Sequence, residues 1–314
     1  MDRGGSRTAH RGCRNPKVFS GVFGVGGMQS LRFIEKSMRM VFAASALAAI
    51  LAVGLICVFL FAGGLPAIGK IGVFKFLSGT GWNPTYDEFG ILPMIVGSVY
   101  VTAGAIIVGV PVGIFTAVFM AKACPKPVYR FLKPALDLLA GIPSVVYGFF
   151  GMVVLVPFVR EAFGSRDGSS ILTASLLLGI MILPTIIGVS ESALRAVPGE
   201  LYEGAVALGA SHERAVFGVL LPAAKSGVMA AVVLGVGRAI GENMAVKMVA
   251  GNQPALRAPT ELLKGVRTLT ANVVLEMGYA EGLHREALIA TGVVLFVFIL
   301  IINLLFSVIK KGDR

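Results

Sequence analysis

Six apolar runs, at about residues 40–61, 91–120, 135–159, 171–189, 227–250 and 287–309, constrain this chain more than any other feature. Each approaches or exceeds the roughly 20 residues that cross about 30 Å of hydrocarbon at about 1.5 Å per residue. Lipid offers no water to backbone N–H and C=O groups, so such runs must close their hydrogen bonds within helices. The expected fold is therefore an all-α integral membrane bundle of six transmembrane helices. Composition agrees, since 56% of the 314 residues are hydrophobic and only 14% are charged. No soluble domain has an interior for that much apolar surface.

The net charge of +11 matters through its location. Arg3, Arg7, Arg11, Arg14 and Lys17 make the N-terminal tail basic, and Lys310, Lys311 and Arg314 close the chain. The segment 121–134 carries Lys122, Lys126, Arg130 and Lys133 with no acidic residue. Lys and Arg favour the cytoplasmic side of a membrane, which places both termini, this segment and the later loop 190–226 inside the cell. The basic balance thus sets topology and meets anionic lipid, and a nucleic-acid role is excluded. Residues 1–28, rich in Gly, Arg and Ser without period, are expected to be disordered. Met28 is then a candidate translation start. Residues 1–39 form a tail with a short basic segment at the membrane, and 40–314 the membrane domain, whose core spans about 91–309.

Catalytic chemistry finds little support. Cys13, Cys57 and Cys124 are scattered, and His10, His212 and His284 lie outside the apolar runs. Neither a disulfide framework nor a metal centre is expected. Gly64–Lys70 (GLPAIGK) nearly spells a phosphate-binding loop, but Ile71 follows where Ser or Thr would hold magnesium. That loop also falls on the outer side, away from ATP. The chain itself is read as a non-enzyme without cofactor.

Glu203–Pro222, in the loop 190–226, is the longest moderately polar, helix-like segment in a chain dominated by apolar runs. Leu201, Ala205 and Leu208 recur at helical spacing, and Gly209 ends that helix. Ser211 is placed to cap a return helix carrying Val216, Phe217, Leu220 and Leu221 before Pro222. A surface helix, a glycine hinge and a return helix between two spans suit the docking of a soluble partner. The spacing of Glu203, Gly204, Ala205, Gly209, Val219, Leu221 and Pro222 resembles the EAA loop of ABC-importer permeases, with Gly204 and Val219 standing for alanine and isoleucine. The resemblance implies that Glu203, Gly204, Ala205, Leu208, Gly209 and Pro222 couple to a cytoplasmic ATPase.

The fifth run holds Arg238, Glu242 and Lys247. A charge near the membrane centre costs at least about 2.5–3.5 kcal/mol on insertion scales, so each needs a partner or a wet cavity. In a continuous helix Arg238 and Glu242, four residues apart, share one face. Two readings stand side by side. One is a structural ion pair; the other is an anion pathway through Arg238 that Glu242 tunes or gates. Arginine's fork of donors matches a tetrahedral oxyanion. Lys247 is read as snorkelling to the interface. In Leu139–Gly151 (LAGIPSVVYGFFG), Gly141 and Pro143 break or kink the third span, and Ser144 and Tyr147 offer hydroxyls to a cavity or to backbone carbonyls.

Gly237–Val246 (GRAIGENMAV) and Leu139–Gly151 together resemble the phosphate-specific ABC permeases, over roughly residues 35–310. Trp82-Asn83-Pro84 and the order of the motifs favour the PstC-type subunit over its PstA-type partner. Asn243 stands where the family usually has Thr. The resemblance implies the type I importer permease fold, with Arg238, Glu242, Ser144, Tyr147 and Asn243 along the substrate pathway. It also implies a PstA-type second permease, a PstB-type ATPase dimer that uses ATP and magnesium, and a PstS-type extracytoplasmic phosphate-binding protein. The expected location is the bacterial inner (plasma) membrane. A sibling permease for sulfate or molybdate, and a stand-alone secondary transporter or channel, are the competing readings.

Overall fold

A computed structural model describes the backbone of residues 25–311 and the side chains of residues 35–305. The basic tail up to residue 24 and the last three residues lie outside the described residues, and the expectation of disorder falls mostly there. Residues 25–28, expected with the tail, instead begin the first helix. The chain divides into two compact units, Met1–Val58 and Phe59–Arg314.

The described part of the first unit is helical, α1 (Val25–Ile71), which continues into the second. In the second unit come α2 (Val73–Ser78), a hairpin of β1 (Trp82–Asn83) and β2 (Glu88–Phe89), and α3 (Leu92–Val118). There follow α4 (Lys126–Gly141), α5 (Ser144–Phe150), α6 (Val156–Phe163) and α7 (Ile171–Arg195). The loop 190–226 contributes α8 (Gly199–Ala207), α9 (His212–Ala215) and α10 (Leu221–Ala223). The chain ends in α11 (Lys225–Gly241), α12 (Met244–Val249), α13 (Leu269–Glu276) and α14 (Gly282–Lys311).

Among the described residues, five stretches are long and apolar enough to span a membrane: Glu35–Ile71, Leu92–Ala123, Ser144–Phe163, Ile171–Arg195 and Gly282–Leu305. A sixth is bent, His212–Ala223 joining Lys225–Gly241 at 71°. Six crossings therefore need the bent pair to count as one.

α3 and α7 pack together most extensively, with α11 against α7 next. A Cβ on Gly109 would lie 2.9 Å from the Gly179 carbonyl oxygen, so glycine lets these two backbones approach closely. Leu177, Leu178, Met181, Ile182 and Ile186 of α7 supply much of the buried core, joined by Val246 and Val249 of α12. Thus α7 is the axis of the bundle. Ser170 caps its start by accepting from the Thr173 N–H at 3.3 Å.

Three expectations need correction. The third span starts at Ser144, not Ala135, because α4 is a separate amphipathic helix. Ile142 precedes Pro143 and is driven to extended backbone (φ −67°, ψ 128°), which breaks the helix there. The expected outer loop from residue 65 is largely ordered, α1 running through Pro66 to Ile71, so Gly64–Lys70 is helix and no phosphate cradle. The fifth span is interrupted at Glu242, whose ψ of 127° ends α11.

Candidate functional site

The interruption at Glu242 reorganises the charged residues of the fifth span. Arg238 lies roughly 20 Å along α11 from Lys225, at about 1.5 Å per residue. Its Nη1 donates to the Thr185 hydroxyl on α7 at 3.1 Å. Glu242 turns the other way: its Oε1 accepts from the Ala245 N–H at 3.1 Å, capping α12 from outside the helix. Its carbonyl accepts from the Thr270 hydroxyl at 3.1 Å. Glu242 closes α11 instead of continuing it, and among the described residues no ion pair joins it to Arg238. The half-buried guanidinium has a neutral hydroxyl where a carboxylate was anticipated.

The two helix breaks come together. α5 packs on α12, with Gly148 against Ala245 and Met248. Tyr147 is buried beside Ala239 and Ala245, within electrostatic range of Arg238. Its hydroxyl donates to the Leu139 carbonyl at 2.8 Å, a second bond to an oxygen that also accepts from the Ile142 N–H at the end of α4. Of the two uses foreseen for Tyr147, the described bond is the backbone one. Ser144 opens α5 and is half-buried, and Asn243 precedes α12 at φ −122° and ψ −46°. Lys247 is half-buried on α12, and its carbonyl accepts from Asn252 Nδ2 at 2.7 Å.

Beyond the break, the chain turns back into the bundle. Ser98 of α3 accepts from the Leu269 N–H at 2.9 Å, Thr268 caps α13, and Thr270 reaches the Glu242 carbonyl. α13 thus ties the outer segment to the interrupted helix. Its far end carries an ion-pair hub that sequence reasoning missed. Glu276 accepts from Arg267 at 2.6 Å and from the Trp82 indole at 2.8 Å, and pairs with His284 at 2.9 Å. Arg267 also donates to Asn272 Oδ1 and to the Asn252 carbonyl, each at 3.0 Å. Trp82 had been singled out as a marker; its partner had no local signal.

In the loop 190–226, α8 buries none of its residues, and Glu203 and Gly204 are exposed with it. Ala205 is half-buried, and Leu208 is 91% exposed at the tip. Gly209 has φ +86°, the left-handed conformation that closes α8 and turns the chain. Ser211 accepts from the Arg214 N–H at 3.4 Å, and the Tyr202 hydroxyl shares a 2.9 Å hydrogen bond with His212 Nδ1. These contacts brace α8 against α9 while leaving its outer face bare. Val216 and Leu220 are buried, whereas Pro222 is exposed. A cleft of about 420 Å³ lies behind α8, lined by Pro198, Leu201, Ala223 and Gly227 among others.

A second hub anchors this base. Glu191, 2% exposed, accepts from Tyr129 at 2.7 Å, Lys133 at 3.2 Å and Arg195 at 2.7 Å. Arg195 adds a bond to the Met120 carbonyl at 3.0 Å and stacks over the Tyr129 ring. The ends of α3, α4 and α7 are thereby joined. Burial alone would lower the Lys133 ammonium, but its bond to Glu191 and the nearby charge outweigh it and raise it above the ordinary lysine value. The Tyr129 phenol is likewise raised, chiefly by its hydrogen bond to Glu191. Glu191 and Arg195 stand four apart at the end of an apolar run, a helical pair the sequence did offer.

Comparison with known proteins agrees with this architecture. Residues 109–312 match the family described as "binding-protein-dependent transport system inner membrane component". The chain is 39% identical over 293 residues to the probable ABC transporter permease protein YqgH of Bacillus subtilis, covering 90% of this chain and 94% of that protein. It is 36% identical over 279 residues to the phosphate transport system permease protein PstC of Mesorhizobium japonicum, covering 82% and 84%. Among solved structures, a chain of a bacterial ABC transporter involved in alginate import aligns with a TM-score of 0.55 at 15% identity, over 88% of this chain and 99% of that one. A chain of the MetNI methionine ABC transporter aligns with a TM-score of 0.54 at 20% identity, over 72% and 94%. These structural likenesses bear on the fold alone. The six-run architecture and the matched sequence make this chain a multi-pass inner-membrane protein of the ABC-importer permease type: it belongs to the family of binding-protein-dependent transport system inner membrane components.

Proposed function

We propose that this chain is the PstC-type membrane subunit of an ATP-driven importer of inorganic phosphate. The observation that carries the reading is Arg238, a half-buried guanidinium in an interrupted span, held by a neutral hydroxyl and in no ion pair among the described residues. A cation without a resident counter-charge in a low-dielectric setting favours an anion that can arrive and leave. The similarity to a phosphate transport system permease protein supports phosphate as that anion.

In this reading a PstA-type permease completes the pathway, and a PstS-type binding protein delivers phosphate from outside. Ser144, Tyr147, Glu242 and Asn243, at the two paired helix breaks, border its route. ATP and magnesium act on a PstB-type ATPase dimer, which docks on the bare face of α8 through Glu203, Gly204, Ala205 and Leu208. Gly209 fixes the angle of that face, and Pro222 starts the return toward α11. Closure of the ATPase pushes α8, and the Glu191 hub passes the push to α3, α4 and α7. The chain itself hydrolyses nothing.

The test is labelled phosphate uptake in cells lacking their own high-affinity system and expressing this chain with its candidate partners. Uptake should resist excess sulfate and molybdate and vanish with an ATPase-dead partner. Inhibition by either competitor would move the chain to a sibling oxyanion importer. Uptake indifferent to the ATPase would overturn the coupling role of α8.

A further inference from the structure

We propose that Thr185 positions Arg238 and, through its own hydroxyl proton, gives the transported anion a second contact; this rests on the pathway reading above. Hydroxyls inside apolar helices usually bond back to their own carbonyl four residues earlier. Ser45, Thr116, Ser192 and Thr291 all do so here, at 2.7–2.9 Å. Thr185 does not. Its oxygen accepts from Arg238 Nη1, near the middle of α7 and directly after Pro184. Threonine in a helix has two accessible rotamers, one of which serves the back-bond, and Thr185 forgoes that bond for Arg238.

That choice leaves donors without acceptors. Among the described residues, the Thr185 O–H finds no acceptor. A guanidinium carries five N–H donors, and one of those of Arg238 is engaged with protein. Glu242, the nearest carboxylate in sequence, is turned to the Ala245 N–H. Unfilled donors in a membrane span are costly, and a ligand consisting only of acceptors resolves both at once. A tetrahedral oxyanion is such a ligand: it takes the arginine fork on two oxygens and the threonine proton on a third. With the Thr185 oxygen accepting from Arg238, its proton is left for an acceptor, and the hydroxyl becomes a relay from guanidinium to anion.

The test uses the complete importer in proteoliposomes, with saturating phosphate-loaded binding protein. Thr185→Val keeps the shape and removes the hydroxyl. Maximal phosphate uptake should fall about tenfold, as expected for a hydrogen bond to a charged group, with the yield of complex unchanged. Thr185→Ser should restore uptake to within about twofold of the original. On an Arg238→Lys background, Thr185→Val should cost less than about twofold, because the fork it serves is gone. The inference is overturned by full uptake in Thr185→Val, by failure of that variant to assemble, by Ser falling as far as Val, or by an undiminished loss on the Lys background. The two layers separate cleanly. Full uptake by Arg238→Gln overturns the pathway reading itself, whereas a dead Arg238→Gln with an active Thr185→Val overturns the role of Thr185 alone.

Discussion

The indole of Trp82 donates to the carboxylate of Glu276 at 2.8 Å, across 194 positions of sequence. Trp82 sits in the outer hairpin and Glu276 at the end of α13, so this bond pins the hairpin to the segment that reaches the Glu242 break. Glu276 also neutralises Arg267, and His284 completes the cluster. Removing the carboxylate leaves the part-buried Arg267 guanidinium without its counter-charge, which costs up to about 3–5 kcal/mol. Removing the indole N–H leaves the ion pair intact and costs about 1.5–3 kcal/mol. Glu276→Ala should therefore lower the thermal unfolding temperature of the purified protein more than Trp82→Phe does. Equal shifts would mean that the Arg267 pair contributes nothing.

The Glu191 hub makes stability depend on alkaline pH. Tyr129 and Lys133 both titrate above their ordinary values of 10.0 and 10.5, so folding favours their protonated forms. The corresponding stability is fully present below those ordinary values and is lost as pH rises through the raised ones. For Tyr129 the hydrogen bond to Glu191 and burial raise the value against the opposing charges of Arg195 and Lys133. For Lys133 burial lowers it, and Glu191 and Asp137 raise it against that burial. Thermal unfolding followed from pH 8 to pH 11 should steepen in its decline above about pH 10, and Tyr129→Phe should soften that decline. A Tyr129→Phe profile parallel to the original would remove the phenol from the account.

At the tip of α8, Leu208 has no packing to lose and Gly209 has a conformation to lose. Leu208→Ser should leave the unfolding temperature of the isolated chain unchanged, since the side chain is 91% exposed. It should nonetheless reduce recovery of the ATPase in mild detergent. A Cβ at Gly209 meets nothing within 4 Å, so any effect there is backbone strain at φ +86°. Gly209→Val should cost more than Gly209→Ala, because a β-branched side chain is least tolerant of positive φ. ATPase recovery that ignores all three changes would detach this tip from coupling.

Much of this was legible from local sequence. The apolar runs mark the spans because lipid demands continuous helix, and the turn at Gly209 with the cap at Ser211 follows from residue chemistry alone. The start of the third span was misjudged because Leu136, Leu138, Leu139 and Ala140 extend the apolar run back across the break. Tyr129, Leu132 and Leu136 meanwhile face the cytoplasmic core at helical spacing, the amphipathic signal of α4. The break at Glu242 was hidden for a different reason. Glu242-Asn243-Met244-Ala245 has no proline, and the interruption is supported by Thr270 from 28 positions away. Arg238–Thr185 and Trp82–Glu276 join distant positions, and no local period announces either. Distance in sequence, more than weakness of signal, separates the residues recognised in advance from those the fold revealed.

Glu242 offers the sharpest separation of structure from transport. Its Oε1 caps α12 by accepting from the Ala245 N–H, a contact that a glutamine oxygen can reproduce. Its charge is what glutamine removes. Glu242→Gln should keep the assembled complex and its unfolding temperature, while Glu242→Ala should lose about 1 kcal/mol with the cap. If the carboxylate tunes the passage of an anion past Arg238, Glu242→Gln should also change the maximal uptake rate although its stability is intact. A purely structural residue gives the opposite pattern: uptake in the Gln variant matches the original, and uptake in the Ala variant falls only as far as its stability does. Measuring uptake and unfolding temperature on the same two preparations decides between them, because the cap and the charge are lost in different variants.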